Sequence, residues 1–244
     1  RFLLRHHLVD GRLRRVSRGG RVGAPVGVLE DHGSLAQAFC ALHQLPADGV
    51  VDPGEWLAAA AGLLDTALAR FQDDGSWFDT ADDAEQLVSR PADPTDNATP
   101  SGLSAVAEAL VTYGALTGSS RHREAAESAV AVLAPIVARF PRFAGHALSV
   151  AEAMAAGPLQ VAVVGDGVAA EELRYEAWRA DPPGAVIVSG APDASGVPLL
   201  ADRPLLSGAP AGYVCRGFVC EMPAGTAGEL RDQLATRSAG GVTG

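Results

Sequence analysis

Apolar residues recur at three- and four-residue intervals through the first 157 residues and give way to short continuous runs beyond them. Leu35, Phe39 and Leu42 share one face of a helix predicted from about Ser34 to Gln44, with Asp31 or Ser34 as its cap. Asp52 before Pro53 is a capping acid followed by proline at the first helical position. Trp56, Leu57, Leu63, Leu64 and Leu68 carry the apolar side of that helix to about Phe71. Ser101 opens a helix through Thr117 that Gly118 ends. A fourth helix spans about Arg121 to Arg139, and a fifth runs from Phe143 to Ala156 before Gly157-Pro158. Small residues crowd these faces, which permits close antiparallel packing. The series predicts a mainly α fold over residues 1–157, part of an (α/α)6 toroid of helical hairpins. Ahead of it, residues 1–9 finish a helix, Asp10-Gly11 turns, and Arg12 to Val16 forms a short strand.

Residues 158–244 read as a small appended C-terminal α/β element. Leu159 to Val164 is a buried-type strand, 168–179 a helix and Ala185 to Val188 a second strand. Ala211 to Glu221 makes a third strand, Gly225 to Leu234 a helix, and the last ten residues no regular element. Gly165-Asp166-Gly167-Val168-Ala169-Ala170 fits a dinucleotide fingerprint between a strand and a helix. Asp166, however, puts a carboxylate at the pyrophosphate position, and no acid follows the second strand to hold a ribose. The reading is a tight turn, and no cofactor is expected.

Between the second and third helices, residues 73–105 form a long connection, of a length that is usually functional or disordered. Trp77 and Phe78 argue for order, since disordered segments seldom carry large rings. Asp79, Asp82, Asp83, Glu85, Asp93 and Asp96 supply carboxylates, and Arg90 supplies a fixed cation. Paired carboxylates beside a stacking ring are the equipment of sugar chemistry. His32, after Glu30-Asp31 at a helix start, sits where free N–H groups favour an anion or a sugar hydroxyl. The candidate catalytic residues are therefore Asp79, Asp96 and His32. The binding candidates are Glu30, Asp31, His32, Trp77, Phe78, Asp79, Arg90, Asp96, Asn97 and Ser101. Arg90 is expected to pair with Asp79 or Asp96, and Trp77 to offer a flat face to a ligand. The opposing account has the aromatic rings plugging the site and the acids solvated.

Composition narrows the options. The chain is 48% hydrophobic with a net charge of −10, and its 19 basic residues are all Arg, seven of them among the first 22 residues. Such a negative field repels phosphate backbones, so nucleic acid is not an expected partner. No apolar run reaches membrane-spanning length and no signal peptide stands at the start, which points to a cytoplasmic protein. The start itself reads like a helix already under way, as in a piece of a longer chain. Cys40, Cys215 and Cys220 do not make a secreted disulfide framework. A spacing of five puts Cys215 and Cys220 on opposite faces of a regular strand, so a hairpin or bulge at Gly217 is needed to join them. Two semi-buried small residues are the favoured reading over a redox pair. The histidines show no metal spacing, and no metal site is expected.

Gly75-Ser76-Trp77-Phe78-Asp79-Thr80, Arg90-Pro91 and Asp96-Asn97-Ala98-Thr99-Pro100-Ser101-Gly102 resemble the C-terminal region of YyaL-type, spermatogenesis-associated thioredoxin-domain proteins. Asp10-Gly11-Arg12-Leu13, Glu30-Asp31-His32 and Gly212-Tyr213-Val214-Cys215 with Phe218 and Cys220 fit the same family. The chain departs from the family pattern at His32, Ala92 and Leu103, where an aromatic, a Lys and an Asn are usual. The resemblance implies an N-terminal thioredoxin-like domain followed by a toroid similar to N-acylglucosamine 2-epimerases and six-hairpin glycosidases. With no C-x-x-C here, this chain is expected to be the toroid's C-terminal part without the redox domain. Two functions follow as expectations: a carbohydrate-binding or carbohydrate-acting region (isomerase- or glycosidase-like, with a sugar or small-molecule ligand), or a non-catalytic interaction module supporting a thioredoxin-like domain.

Overall fold

The computed structural model describes residues 1–46, 52–85, 88–180 and 182–239, and the protein is mainly α-helical with small sheets. Its chain forms two compact units, each assembled from separated segments. The first takes residues 1–39, 58–110 and 121–151; the second takes residues 40–57, 111–120 and 152–244.

The first unit begins with a short π-helical turn over Leu3–His7, where a longer helix was expected. Two tight hairpins follow. β1 (Leu8–Val9) pairs with β2 (Arg12–Leu13) around Asp10-Gly11, and β3 (Ser17–Arg18) pairs with β4 (Arg21–Val22) around Gly19-Gly20. All four turn residues have positive φ, which these two-residue turns require. Helix α1 (Leu29–His43) starts five residues before the expected Ser34. Its cap is Asp31, whose Oδ2 accepts the Val28 N–H at 2.9 Å, the reach-back half of a capping box. Helix α2 (Pro53–Arg70) opens on Asp52, whose Oδ1 accepts the Gly54 N–H at 2.8 Å.

Next, β5 (Gln72–Asp73) and β6 (Ser76–Trp77) pair around Asp74-Gly75, an Asp-Gly hairpin inside the stretch expected to be irregular. Helices α3 (Gly102–Thr117), α4 (Ser120–Arg139) and α5 (Gly145–Ala156) complete the helical part, with a 3-10 turn over Pro141–Phe143. A Cβ added at Gly33 would lie 2.5 Å from the Val106 backbone nitrogen. Only glycine therefore lets α1 and α3 approach this closely. Leu29, Leu64, Phe71, Leu110 and Leu133 are fully buried at the centre of this unit.

The second unit holds a four-stranded sheet. Central β7 (Gln160–Val164) runs parallel to β8 (Val186–Gly190) and antiparallel to β9 (Ala211–Arg216). The order is completed by β10 (Val219–Cys220), which pairs with β9. The expected third strand thus reverses at Gly217-Phe218, both at positive φ, into a hairpin. Helices α6 (Gly167–Ala180) and α7 (Ala227–Ala239) cover one face, burying Leu173, Ala177, Leu230 and Leu234 against Val161, Val163 and Val214. Helix α7 runs five residues past the expected Leu234, and residues 240–244 lie outside the described ones. On β8 the Ile187 N–H donates to Gln44 Oε1 at 2.8 Å, and Gln44 Nε2 donates to Cys40 O at 3.2 Å, so one buried amide side chain satisfies groups on strand and helix.

Candidate functional site

The connection between α2 and α3 is held chiefly by its own backbone. Phe78 N donates to Phe71 O, Asp79 N to Pro91 O, and Leu29 N to Asp79 O, at 2.8–3.0 Å. These bonds bring the start of α1 and the Trp77–Asp79 stretch together, while a Cβ at Gly102 would come within 3.0 Å of Glu30 N. Among the gathered side chains, Leu29, Trp77, Asp79, Asp93, Leu103 and Val132 border a cavity of about 270 Å³.

Asp96 is 6% exposed and its carboxylate is taken up by helix ends. Oδ1 accepts Ser101 N at 2.9 Å; Oδ2 accepts His146 N at 2.9 Å and Ala147 N at 3.0 Å. The residue before α5 is Ala144, which has no side-chain acceptor, so Asp96 caps that helix from 50 residues away. Ser101 caps α3 in turn, its Oγ accepting Ser104 N at 3.1 Å. Burial alone would raise the Asp96 pKa; the donors from Ser101, Ala147, the Ser104 side chain and His146 reverse that and hold it below the usual carboxylate value.

Asp79 is half-buried and its Oδ2 accepts Asp93 N at 3.0 Å, while Asp93 Oδ1 accepts Thr95 N and Oγ1. Arg90 makes neither expected ion pair. Its Nη2 donates to Thr80 O at 2.7 Å and Arg70 O at 3.2 Å, and its guanidinium carbon lies 4.0 Å above the Phe78 ring. Carbonyls and a π-face, all neutral, replace the carboxylate, and among the described residues no acid lies within salt-bridge distance of Arg90. Trp77 borders the cavity yet is only 5% exposed, so it acts as packing and not as a free stacking face.

His32 is 3% exposed and packs on Phe71 with ring centroids 4.9 Å apart. Its Nδ1–H donates to Val28 O at 2.9 Å, and burial lowers its pKa against the opposing effect of that bond. Asp31 caps α1 and meets Arg15 Nε at 3.3 Å. Glu30 is half-buried and Asn97 exposed, its backbone N–H bonded to Thr99 O.

Other polar pairs lie outside the residues expected from sequence. His146 Nε2 donates to Glu108 Oε2 at 3.1 Å, and this bond raises the imidazole pKa against the opposing effect of burial. Arg12 pairs with Asp83, which Arg70 also approaches, and the Arg12 hydrogen bond holds the Asp83 carboxyl below its usual range. In the second unit, Cys215 and Cys220 form a disulfide, correcting the expectation of two separate residues. The Gly217-Phe218 turn places them directly opposite, with Cα atoms 3.9 Å apart. Only in a straight strand would a spacing of five put them on opposite faces. A type I′ signal at Gly217 was present, but Phe218 at positive φ gave none.

The Gly165–Gly167 turn borders a second cavity of about 420 Å³ with Arg174, whose guanidinium is paired to Glu171. Among the described residues no cluster of three or more His, Cys, Asp or Glu could hold a metal ion, and no helix is long and apolar enough to cross a membrane. No family model matches the chain, and no curated protein matches it.

Proposed function

We propose that this chain is a non-catalytic module, part of an (α/α)6 toroid from a YyaL-type thioredoxin-domain protein, that supports a thioredoxin-like domain. The observation that carries this reading is the state of Asp96: three backbone N–H groups occupy its carboxylate, which leaves this candidate acid tied to the fold and not to a substrate. His32 and Trp77, buried and internally packed, agree with it. A cytoplasmic setting goes with this reading, as does the absence of any role for nucleic acid.

Asp79 and Asp93 favour a second reading, a sugar or small-molecule site, because both border the first cavity. At about 270 Å³ it lies just under the span of roughly 300–1,000 Å³ usual for ligand pockets. The two readings separate in one experiment. The purified chain is titrated calorimetrically with a purified thioredoxin-like domain and with N-acylglucosamine and simple glycosides, and turnover of the sugars is followed by NMR. Saturable binding of the domain with no sugar turnover supports the module. Sugar binding or turnover that vanishes in Asp79→Asn overturns it in favour of the pocket.

A further inference from the structure

Arg203 is 6% exposed, and its guanidinium faces sulfur instead of a carboxylate. Nη2 lies 3.2 Å from Cys220 Sγ and 3.6 Å from Cys215 Sγ, and Nη1 donates to Ala201 O at 2.5 Å. Its Nε is buried without a hydrogen-bond partner, and among the described residues no acid lies within salt-bridge distance of it. The Phe218 ring centroid is 6.0 Å from the guanidinium carbon. Burial pulls the Arg203 pKa below its ordinary value, opposed by Tyr213 and Asp202. Tyr213 donates its hydroxyl to Pro204 O at 2.6 Å, and burial raises its pKa, so it supplies no anion. Arg216 and Glu221 flank the two cysteines along the strands, and Arg216 turns to the carbonyls of Ala156 and Gly157.

A buried cation costs several kcal/mol unless an anion repays it. Disulfide sulfur is neutral and a weak acceptor, so it repays little. A thiolate in the same place carries a full charge and makes a charge-assisted bond. The oxidised pair thus leaves Arg203 with only the Asp202 carboxylate, beyond salt-bridge distance, to offset its charge, while the reduced pair places an anion directly against it. We propose that Cys215–Cys220 is a thiol–disulfide exchange site for small thiols of the glutathione class, with Arg203 as the residue that holds the reduced pair as a thiolate. This is independent of the module reading above.

The exposure of the two residues sets the order of events. Cys215 is 2% exposed, whereas Cys220 lies half-buried on the edge strand β10. An incoming thiolate RS⁻ attacks Cys220 Sγ; the RS–Sγ bond forms, the Cys215–Cys220 bond breaks, and the electron pair leaves on Cys215 Sγ beside Arg203. A second RS⁻ attacks the R sulfur of the mixed disulfide, forming RSSR and returning an electron pair to Cys220 Sγ. One protein sulfur takes a proton and the other stays a thiolate against Arg203. The sum is disulfide plus two RSH giving thiol–thiolate, RSSR and one H⁺. The more the reduced form is stabilised, the more oxidising the couple.

The test uses the full chain, reduced and then alkylated with iodoacetamide across a pH series, with each cysteine followed by peptide mass. Cys40, buried and with its thiol pushed up to about 12, stays silent. The expected midpoint of the faster of the other two lies at least about one pH unit below the ordinary value of roughly 8.5. Arg203→Met should return it to that value and lower the equilibrium constant for reduction by glutathione at least about tenfold, a fall of about 30 mV. Arg203→Lys should recover part of both. A parent midpoint at or above the ordinary value overturns the proposal, and so does a folded Arg203→Met protein with both quantities unchanged. Should Arg203→Met fail to fold, the parent profile decides alone.

Discussion

Replacing Asp96 with alanine removes one carboxylate and strands three N–H groups at the starts of α3 and α5. Hydrogen bonds to a charged group contribute about 1.5–3 kcal/mol each. Ser101 and Ala147 are buried, so their donors stay unsatisfied, while half-exposed His146 can turn to water. Two stranded donors amount to a loss of about 3–6 kcal/mol, or a Tm lower by roughly 6–24 °C for a chain of this size. Asp96→Asn, which keeps one acceptor oxygen but opposes its amide N–H to a donor, should fall between. The lowered carboxyl pKa adds a pH signature. A depressed folded-state value stabilises fully above the unfolded value of about 3.9 and less as pH falls through the folded one. The measurement is circular dichroism melting at pH 7 and near pH 3. An alanine variant melting within about 2 °C of the parent at pH 7, a difference worth under about 1 kcal/mol, refutes the capping role.

Trp77→Ala should destabilise by about 3–5 kcal/mol, because the indole is buried. Trp77→Phe, which keeps a ring and removes the unpartnered Nε1–H, should cost less; urea melts of both decide. The Glu108 bond raises the His146 pKa, so its stabilisation is complete below the unfolded value of about 6.5 and disappears as pH rises through the folded value. Glu108→Gln should therefore lower the urea midpoint at pH 5.5 more than at pH 8.5, and an equal loss at both would count against the pairing.

What the sequence disclosed were features written in neighbouring residues. Asp52-Pro53 announced α2, and Gly157-Pro158 marked the change from helical to strand periodicity before β7. The start of α1 carries little signal because its cap reaches backwards from Asp31 to Val28, with no Ser or Thr at the cap position. Asp74-Gly75 was a readable hairpin signal, obscured by the length of the irregular stretch around it. The site was less legible for a different reason. Arg90 is satisfied by carbonyls, which every residue carries, so its partners leave no trace in composition. Asp96 reaches a helix start 50 residues away, and Arg203 meets the cysteines only after a turn that a non-glycine residue completes.

The hydrogen bond from Ile187 N to Gln44 Oε1 spans 143 residues and bears on how the chain is made. Residues 40–57 belong to the second unit, but its sheet is encoded only from Gln160 onward. At about 5–20 residues per second, some 7–29 s separate the emergence of Gln44 from that of Ile187. All the residues of the first unit are in hand once Ala151 has emerged, before β7 exists. During that interval Gln44 waits without the β8 N–H that its side chain will accept, so the end of α1 beside it stays open to chaperones and proteases until the sheet is made.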